Sequence, residues 1–255
     1  MVEVLIAVAF VLLTWWAGTA LILYLDARPR RTYGLSRGVT TAVALAAGVA
    51  VVVTKDDTSV AAAYLAFGSS VMLWAWHELS FLTGWVTGPR KLACPDDARG
   101  WTRFSLATAT VIHHELALAA NLVVVVALTW GAPNPVAAWT FGVLWTMRLS
   151  AKLNLFLGVR SVAVEFIPMH LRYLASYFGR ARMNPLMPIS ILAASAIVAL
   201  LVVGAEGLSE FDVAARTLTA TMLGLAVLEH VFLALPLPDA MLWRWILSKR
   251  TMETS

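Results

Sequence analysis

Apolar residues in this chain fall in long uninterrupted runs, each ended by charges or by Pro and Gly. Seven runs reach the length of a bilayer crossing, and they predict helices over approximately 2–25, 38–54, 59–86, 105–130, 136–158, 187–206 and 212–235. Two segments break the pattern. Residues 160–183 mix aromatics with Arg, which suits an interfacial helix or a re-entrant segment. Residues 239–250 (D-A-M-L-W-R-W-I-L-S-K-R) read as an amphipathic tail helix anchored by Trp243 and Trp245. There is no repeat of fixed period and no low-complexity tract. The first run lacks a basic region before it and ends on R-P-R-R, so it reads as a retained span rather than a cleaved signal.

Composition turns this pattern into a class. Hydrophobic residues make up 60% and charged residues 13%, whereas a soluble domain carries about a quarter charged residues. Too little polar surface remains to cover a water-soluble globule. The expectation is an all-α, polytopic helical membrane protein forming a single integral domain over 1–255. Its net charge of +4 comes with 15 carboxylates and no basic patch interleaved with aromatics, which argues against nucleic acid. The single Cys94 excludes an internal disulfide and has no Cys or His beside it for a zinc site.

The cations are sorted along the chain. Arg28, Arg30, Arg31 and Arg37 follow the first run, and Arg90, Lys91, Arg99 and Arg103 follow the third. Arg148, Lys152, Arg160, Arg172, Arg180 and Arg182 belong to the fifth connection with the adjoining end of its span, and Arg244, Lys249 and Arg250 to the tail. Together these are seventeen of 19, leaving only Lys55 and Arg216 on the other side. The positive-inside rule then puts the N-terminus outside and the C-terminus in the cytoplasm.

Ionisable residues inside spans are costly and mark protein interiors or cavities. Four of the five His lie in spans, and three of them adjoin a Glu: His77-Glu78, His114-Glu115 and Glu229-His230. His113 is the fourth, and His170 follows Glu165 at five residues in the interfacial segment. His77 lies nine residues before the expected end of its span, and His113 to Glu115 lie eight to ten from the start of theirs. Both sets are therefore roughly 12–15 Å from the cytoplasmic end. Lys152 and Asn154 occupy the inner part of span five as supporting residues. The segments converge on one polar layer in the cytoplasmic leaflet.

Several chemistries use such a layer. His and carboxylate together bind one or two Fe, Mn or Zn ions, as a metal-dependent oxygenase or hydroxylase of a lipid-soluble substrate would require. The spacing does not favour this, because no Glu has His at i+3 and neighbouring helical residues diverge by about 100°. A neutral His also ligates the magnesium of a chlorin, with a small residue one turn earlier; Ala109 precedes His113 and Ala226 precedes His230 by four. Glu78, Glu115 and Glu229 would then orient the imidazoles as hydrogen-bond acceptors. A proton relay or polar substrate pocket is a third use, and interhelical hydrogen bonding alone is a fourth. A transporter would need broken helices and repeated halves, and no repeat is present.

Other features call for less. Trp85, Trp101, Trp130 and Trp139 fall at expected span ends, as an aromatic belt requires. Trp74 and Trp76 beside His77 are the exceptions, placed to line a site. G-P-R-K at 88–91 and N-P-L-M-P at 184–188 read as helix punctuation. Arg172, Arg180 and Arg182 suit solvent or lipid headgroups.

The stretches W-H-E-L-S-F-L-T-G-W-V-T-G-P-R (76–90), H-H-E-L (113–116), K-L-N-L-F-L-G-V-R (152–160) and E-F-I-P-M-H-L-R-Y-L-A-S-Y-F (165–178) are distinctive together. They resemble the PuhE family of photosynthetic complex assembly proteins from purple phototrophic bacteria, over nearly the whole chain. The resemblance implies a multi-pass protein of the bacterial inner (cytoplasmic or intracytoplasmic) membrane, acting in bacteriochlorophyll biosynthesis or complex assembly. The implied partners are the lipid bilayer with reaction-centre or light-harvesting subunits or pigment-synthesis enzymes, and the implied ligand is bacteriochlorophyll or a precursor. It carries over no catalytic residues.

Overall fold

The computed structural model describes residues 1–162, 164, 167–204 and 207–235. All seven apolar runs are α-helical there: α1 Val2–Asp26, α2 Tyr33–Thr54, α3 Val60–Leu82, α4 Gly100–Thr129, α5 Val136–Leu157, α6 Leu186–Val202 and α7 Glu210–Ala234. No β-strand occurs among the described residues. Four helices are long and apolar enough to cross a membrane: α1, α2 with its preceding turn, α4 and α7. Helices α3 and α5, at 23 and 22 residues, are as long but more polar, and α6 is 17 residues.

The polarity of α3 follows from its place. It packs against α1, α2, α4, α5 and α7 and is the hub of the bundle. Ala62, Ala63 and Ala66 are buried along it and let neighbouring backbones approach. Phe67, Phe141, Leu118 and Leu218 are fully buried around them. At one end, Asn134 after α4 donates to the carbonyls of Thr54 and Asp57, which fastens that connection to the α2–α3 turn.

The other end is more elaborate. The α3–α4 connection, 83–99, and the described part of the α5–α6 connection at 167–185 lie against each other and against α4. Arg90 Nε donates to Tyr177 Oη at 2.6 Å, Tyr177 Oη donates to the Leu92 carbonyl, and the Cys94 amide donates to Ser176 Oγ. Arg103 on α4 donates to the carbonyls of Tyr177 and Phe156. The two connections thus form a roof. Burial in it pushes the Tyr173 phenol above its ordinary pKa.

The roof departs from the sequence reading in one respect. Among the described residues of 160–183 there is no single interfacial helix: 3-10 turns occupy Met169–Tyr177, and 178–183 are not helical. Pro168 starts them with an extended backbone, and Phe178 ends them extended, so Gly179 can lie on α5. A Cβ on Gly179 would stand 2.4 Å from the Leu157 carbonyl oxygen, which excludes any helical continuation with a side chain there. The tail at 239–250 and Glu165 lie outside the described residues. Trp85, Trp101, Trp130 and Trp139 are exposed beside helix ends, as the belt reading requires.

Candidate functional site

Helix α5 organises the polar layer. Its segment R-L-S-A-K-L-N places Arg148 and Lys152 at i and i+4 on one face, and Ser150 and Asn154 at the same spacing on another. The charged face collects carboxylates from three helices. Arg148 Nη1 donates to Glu229 Oε1 of α7 at 2.6 Å, and its Nε stands 3.9 Å from Glu78 Oε1 of α3. One turn on, Lys152 Nζ donates to Glu115 Oε1 of α4 at 2.5 Å and lies over the Phe81 ring.

The polar face of α5 holds His230. Its Nδ1 lies 2.9 Å from the Ala226 carbonyl, which only accepts, so that nitrogen carries the proton. Nε2 lies 2.9 Å from the Ser150 hydroxyl oxygen, whose proton is donated to Ser190. Ser150 Oγ is also 2.8 Å from Ser190 of α6. Asn154 donates to the Ser150 carbonyl, and Asn184 donates to the Gly158 carbonyl while accepting from the amides of Leu186 and Met187. Asn184 therefore ties the start of α6 to the end of α5, which gives the punctuation read at N-P-L-M-P its physical form.

The remaining histidines divide. His77, buried on α3, has its Nε2 2.8 Å from the Asn121 side-chain nitrogen of α4, and its ring meets Trp76 and Phe141 edge-on. His114 is 1% exposed, and neither ring nitrogen has a hydrogen-bond partner among the described residues. Its ring tilts against Phe81 at 4.7 Å, within electrostatic reach of Lys152, His77 and Arg148. His113 is exposed on the outer face of α4, in a stripe with Ser105, Leu116, Ala120 and Val123. His170 lies in the roof, its ring near Gly84.

The roof fixes α4 beside the layer. The His114 amide donates to the Thr87 carbonyl at 2.9 Å and the Arg90 amide to the Ala109 carbonyl at 3.1 Å. A Cβ on Gly88 would stand 2.2 Å from the Ala109 oxygen, so only glycine permits this approach. G-P-R-K is thus a brace as well as punctuation. Helix α4 starts at Gly100 rather than near 105, and its first turns lie beside the roof.

Three expectations change. Glu78, Glu115 and Glu229 were placed as acceptors for their neighbouring imidazoles; Glu115 and Glu229 instead pair with Lys152 and Arg148, and Glu78 faces Arg148. Consecutive helical residues point about 100° apart, so a Glu cannot orient the His beside it. Arg148 and Lys152, counted with the cytoplasmic cations, lie inside α5 and are paired within the bundle. Trp74 packs in the core on Phe141, and Trp76 donates to Thr41 of α2, so both serve helix packing. Among the described residues no three His, Cys, Asp or Glu side chains gather as a metal-ligand set.

Sequence reasoning missed Arg148, Ser150, Ser190 and Asn121 as members of the site. Arg148 was readable: three Glu in spans need cations, and Arg148 and Lys152 are the two set one turn apart inside the fifth run. Asn121 and the serines carried no such signal.

Residues 1–254 match the family described as protein of unknown function, DUF3623. The chain is 38% identical over 240 residues to an uncharacterized 30.4 kDa protein in the puhA 5′ region of Rhodobacter capsulatus, covering 91% of this chain and 87% of that one. No solved structure matches.

Proposed function

The chain belongs to the family described as protein of unknown function DUF3623, and we propose that it is a seven-span factor of the bacterial inner membrane serving photosynthetic complex assembly or bacteriochlorophyll biosynthesis. It handles a tetrapyrrole or a pigment–protein subunit in the cytoplasmic leaflet. Two things support the setting: the R. capsulatus relative is encoded in the puhA 5′ region of a photosynthetic bacterium, and the motifs resemble the PuhE family. The segregated cations support an outside N-terminus and a cytoplasmic roof.

The observation that carries the site is the contrast between His113 and the other helical histidines. His77 and His230 are spent on Asn121 and Ser150, and His114 is enclosed. His113 alone among these four is exposed, on the outer face of α4. Ala109 and Ala117 lie one turn to either side, which leaves a low floor for a flat macrocycle lying against the helix. A magnesium chlorin arriving sideways from lipid would be held there by one imidazole nitrogen of His113. The ion pairs and the roof hold α4 in place, so His113 is presented on a braced helix rather than a loop.

The layer beneath is the brace: Glu115 to Lys152 and Asn121 to His77 both grip α4. The test is to purify the protein from a pigment-making host and record its absorption spectrum. Pigment retained by the wild type and lost in His113→Ala supports the assignment. A colourless protein that also takes up no added pigment counts against it.

A further inference from the structure

The end of the bundle opposite the roof brings together the starts of α1, α3 and α7. A cavity of about 160 Å³ lies between these three helices. Ile6, Val60 and Val213 form its apolar wall, and Tyr64 lines it one turn further along α3. Packing fixes the Tyr64 ring: Phe10 meets it edge-on at 4.9 Å and rests in turn on Phe67, which is fully buried. Two carboxylates line the same cavity, Glu3 from α1 and Glu210 from α7, and Glu3 is within electrostatic reach of the Tyr64 phenol.

Nothing in the chain neutralises these two groups. Both are exposed, and neither forms an ion pair among the described residues. Lys55, a cation of the same end, pairs with Asp56 at 3.5 Å. Arg216 falls off the lining face of α7, about 100° from Thr217. Asp212 is already engaged, accepting from the Ser209 hydroxyl at the start of α7. Glu3 and Glu210 stand in the first turns of their helices, where the dipole favours the ionised carboxylate. Each helix start offsets only about half a charge, so the mouth of the cavity stays net negative.

We propose that this cavity binds an organic ammonium group, a cation that carries apolar substituents. Glu3 and Glu210 supply the opposite charge, the aliphatic wall takes the alkyl groups, and the Tyr64 ring adds cation–π attraction. The wall decides against a bare alkali ion, because Ile6, Val60 and Val213 offer no oxygen to replace its hydration. Size sets the limit on the other side. A cavity of roughly 150 Å³ holds a benzene-sized ligand, so a tetramethylammonium or choline group fits and a bulky amine does not. Such a group comes either from a free amine or from a choline lipid headgroup, since the cavity lies at the end of apolar helices where headgroups gather. The site does not rest on the pigment reading, because it uses neither His113 nor the polar layer.

The experiment is thermal melting of the purified full chain in a maltoside detergent, at constant ionic strength made up with sodium chloride. Tetramethylammonium and choline chloride replace the sodium in separate titrations. In a second arm, short-chain phosphatidylcholine is titrated beside short-chain phosphatidylglycerol. The expected result is a saturable rise in melting temperature with a soluble ammonium, or with phosphatidylcholine over phosphatidylglycerol, lost when Glu3→Gln and Glu210→Gln are combined. A response to the soluble ions identifies a free-amine site, and one confined to phosphatidylcholine a headgroup site. No saturable response in either arm, equal responses to the two lipids alone, or an undiminished response in the double variant overturns the proposal. If the double variant does not fold, Tyr64→Leu takes its place, with a right-shifted titration expected and an unchanged one contradicting it.

Discussion

Arg148 of α5 donates to Glu229 of α7 at 2.6 Å, inside a helix that reads as a membrane crossing. Each side chain is 43% exposed to whatever surrounds the bundle, so the pair is neither fully buried nor at an open surface. Its removal should therefore cost more than a surface pair and less than an enclosed one, on the order of 2–3 kcal/mol for Arg148→Met. Chemical unfolding in mixed micelles measures this. Arg148→Met with Glu229→Gln should recover part of the loss, because the single variant leaves a carboxylate without its cation. A double-variant loss equal to the sum of the losses of Arg148→Met and Glu229→Gln alone would show that the pair is not coupled.

Gly88 and Gly48 make a matched contrast. Alanine at 88 drives a Cβ into the α4 backbone, which must break the amide bonds from His114 and Arg90 or push the roof away. A loss of about 3 kcal/mol is expected, at the upper end of overpacking costs. Alanine at 48 meets nothing within 4 Å in mid-helix, and should stabilise by about 0.5–1 kcal/mol. Melting temperatures of the two variants moving in the same direction would contradict the roof geometry.

His114 tests whether an enclosed imidazole on α4 acts through packing alone. Its ring nitrogens bond nothing among the described residues, so His114→Phe forfeits no protein hydrogen bond and keeps the contact with Phe81. Stability should stay within about 1 kcal/mol of wild type. Marked destabilisation of His114→Phe would mean that the nitrogens are satisfied within the protein.

The single cysteine allows the orientation to be measured without engineering. Cys94 lies in the α3–α4 connection, partly exposed and held through its amide by Ser176. A membrane-impermeant maleimide should label it in inside-out vesicles and not in intact cells. The reverse pattern would invert the orientation drawn from the cations.

Much of the fold was legible because lipid is an unforgiving solvent. Seven apolar runs became seven helices with boundaries shifted by at most a few residues, except where α2 and α4 begin five earlier. Those starts carry Tyr33, Arg37, Trp101 and Arg103, which hydropathy alone assigns to loops. The roof was not legible, since nine residues of 3-10 turn held by Arg90, Tyr177 and Gly179 depend on contacts eighty residues apart. The site was half legible. Depth in the span was readable, but not direction around each helix, which sends His113 outward and pairs Glu115 and Glu229 with Lys152 and Arg148. Periodicity would have shown the first of these, because His113 falls in register with Leu116, Ala120 and Val123.

The central claim is that His113 presents an open imidazole to a flat hydrophobic pigment at the edge of the bundle. The most direct measurement is the absorption spectrum of the protein purified from a pigment-making host, wild type beside His113→Ala and His230→Phe. Pigment should accompany the wild type and His230→Phe, and be absent from His113→Ala at unchanged melting temperature. Equal pigment in all three, or none in the wild type even after pigment is added, would contradict the claim.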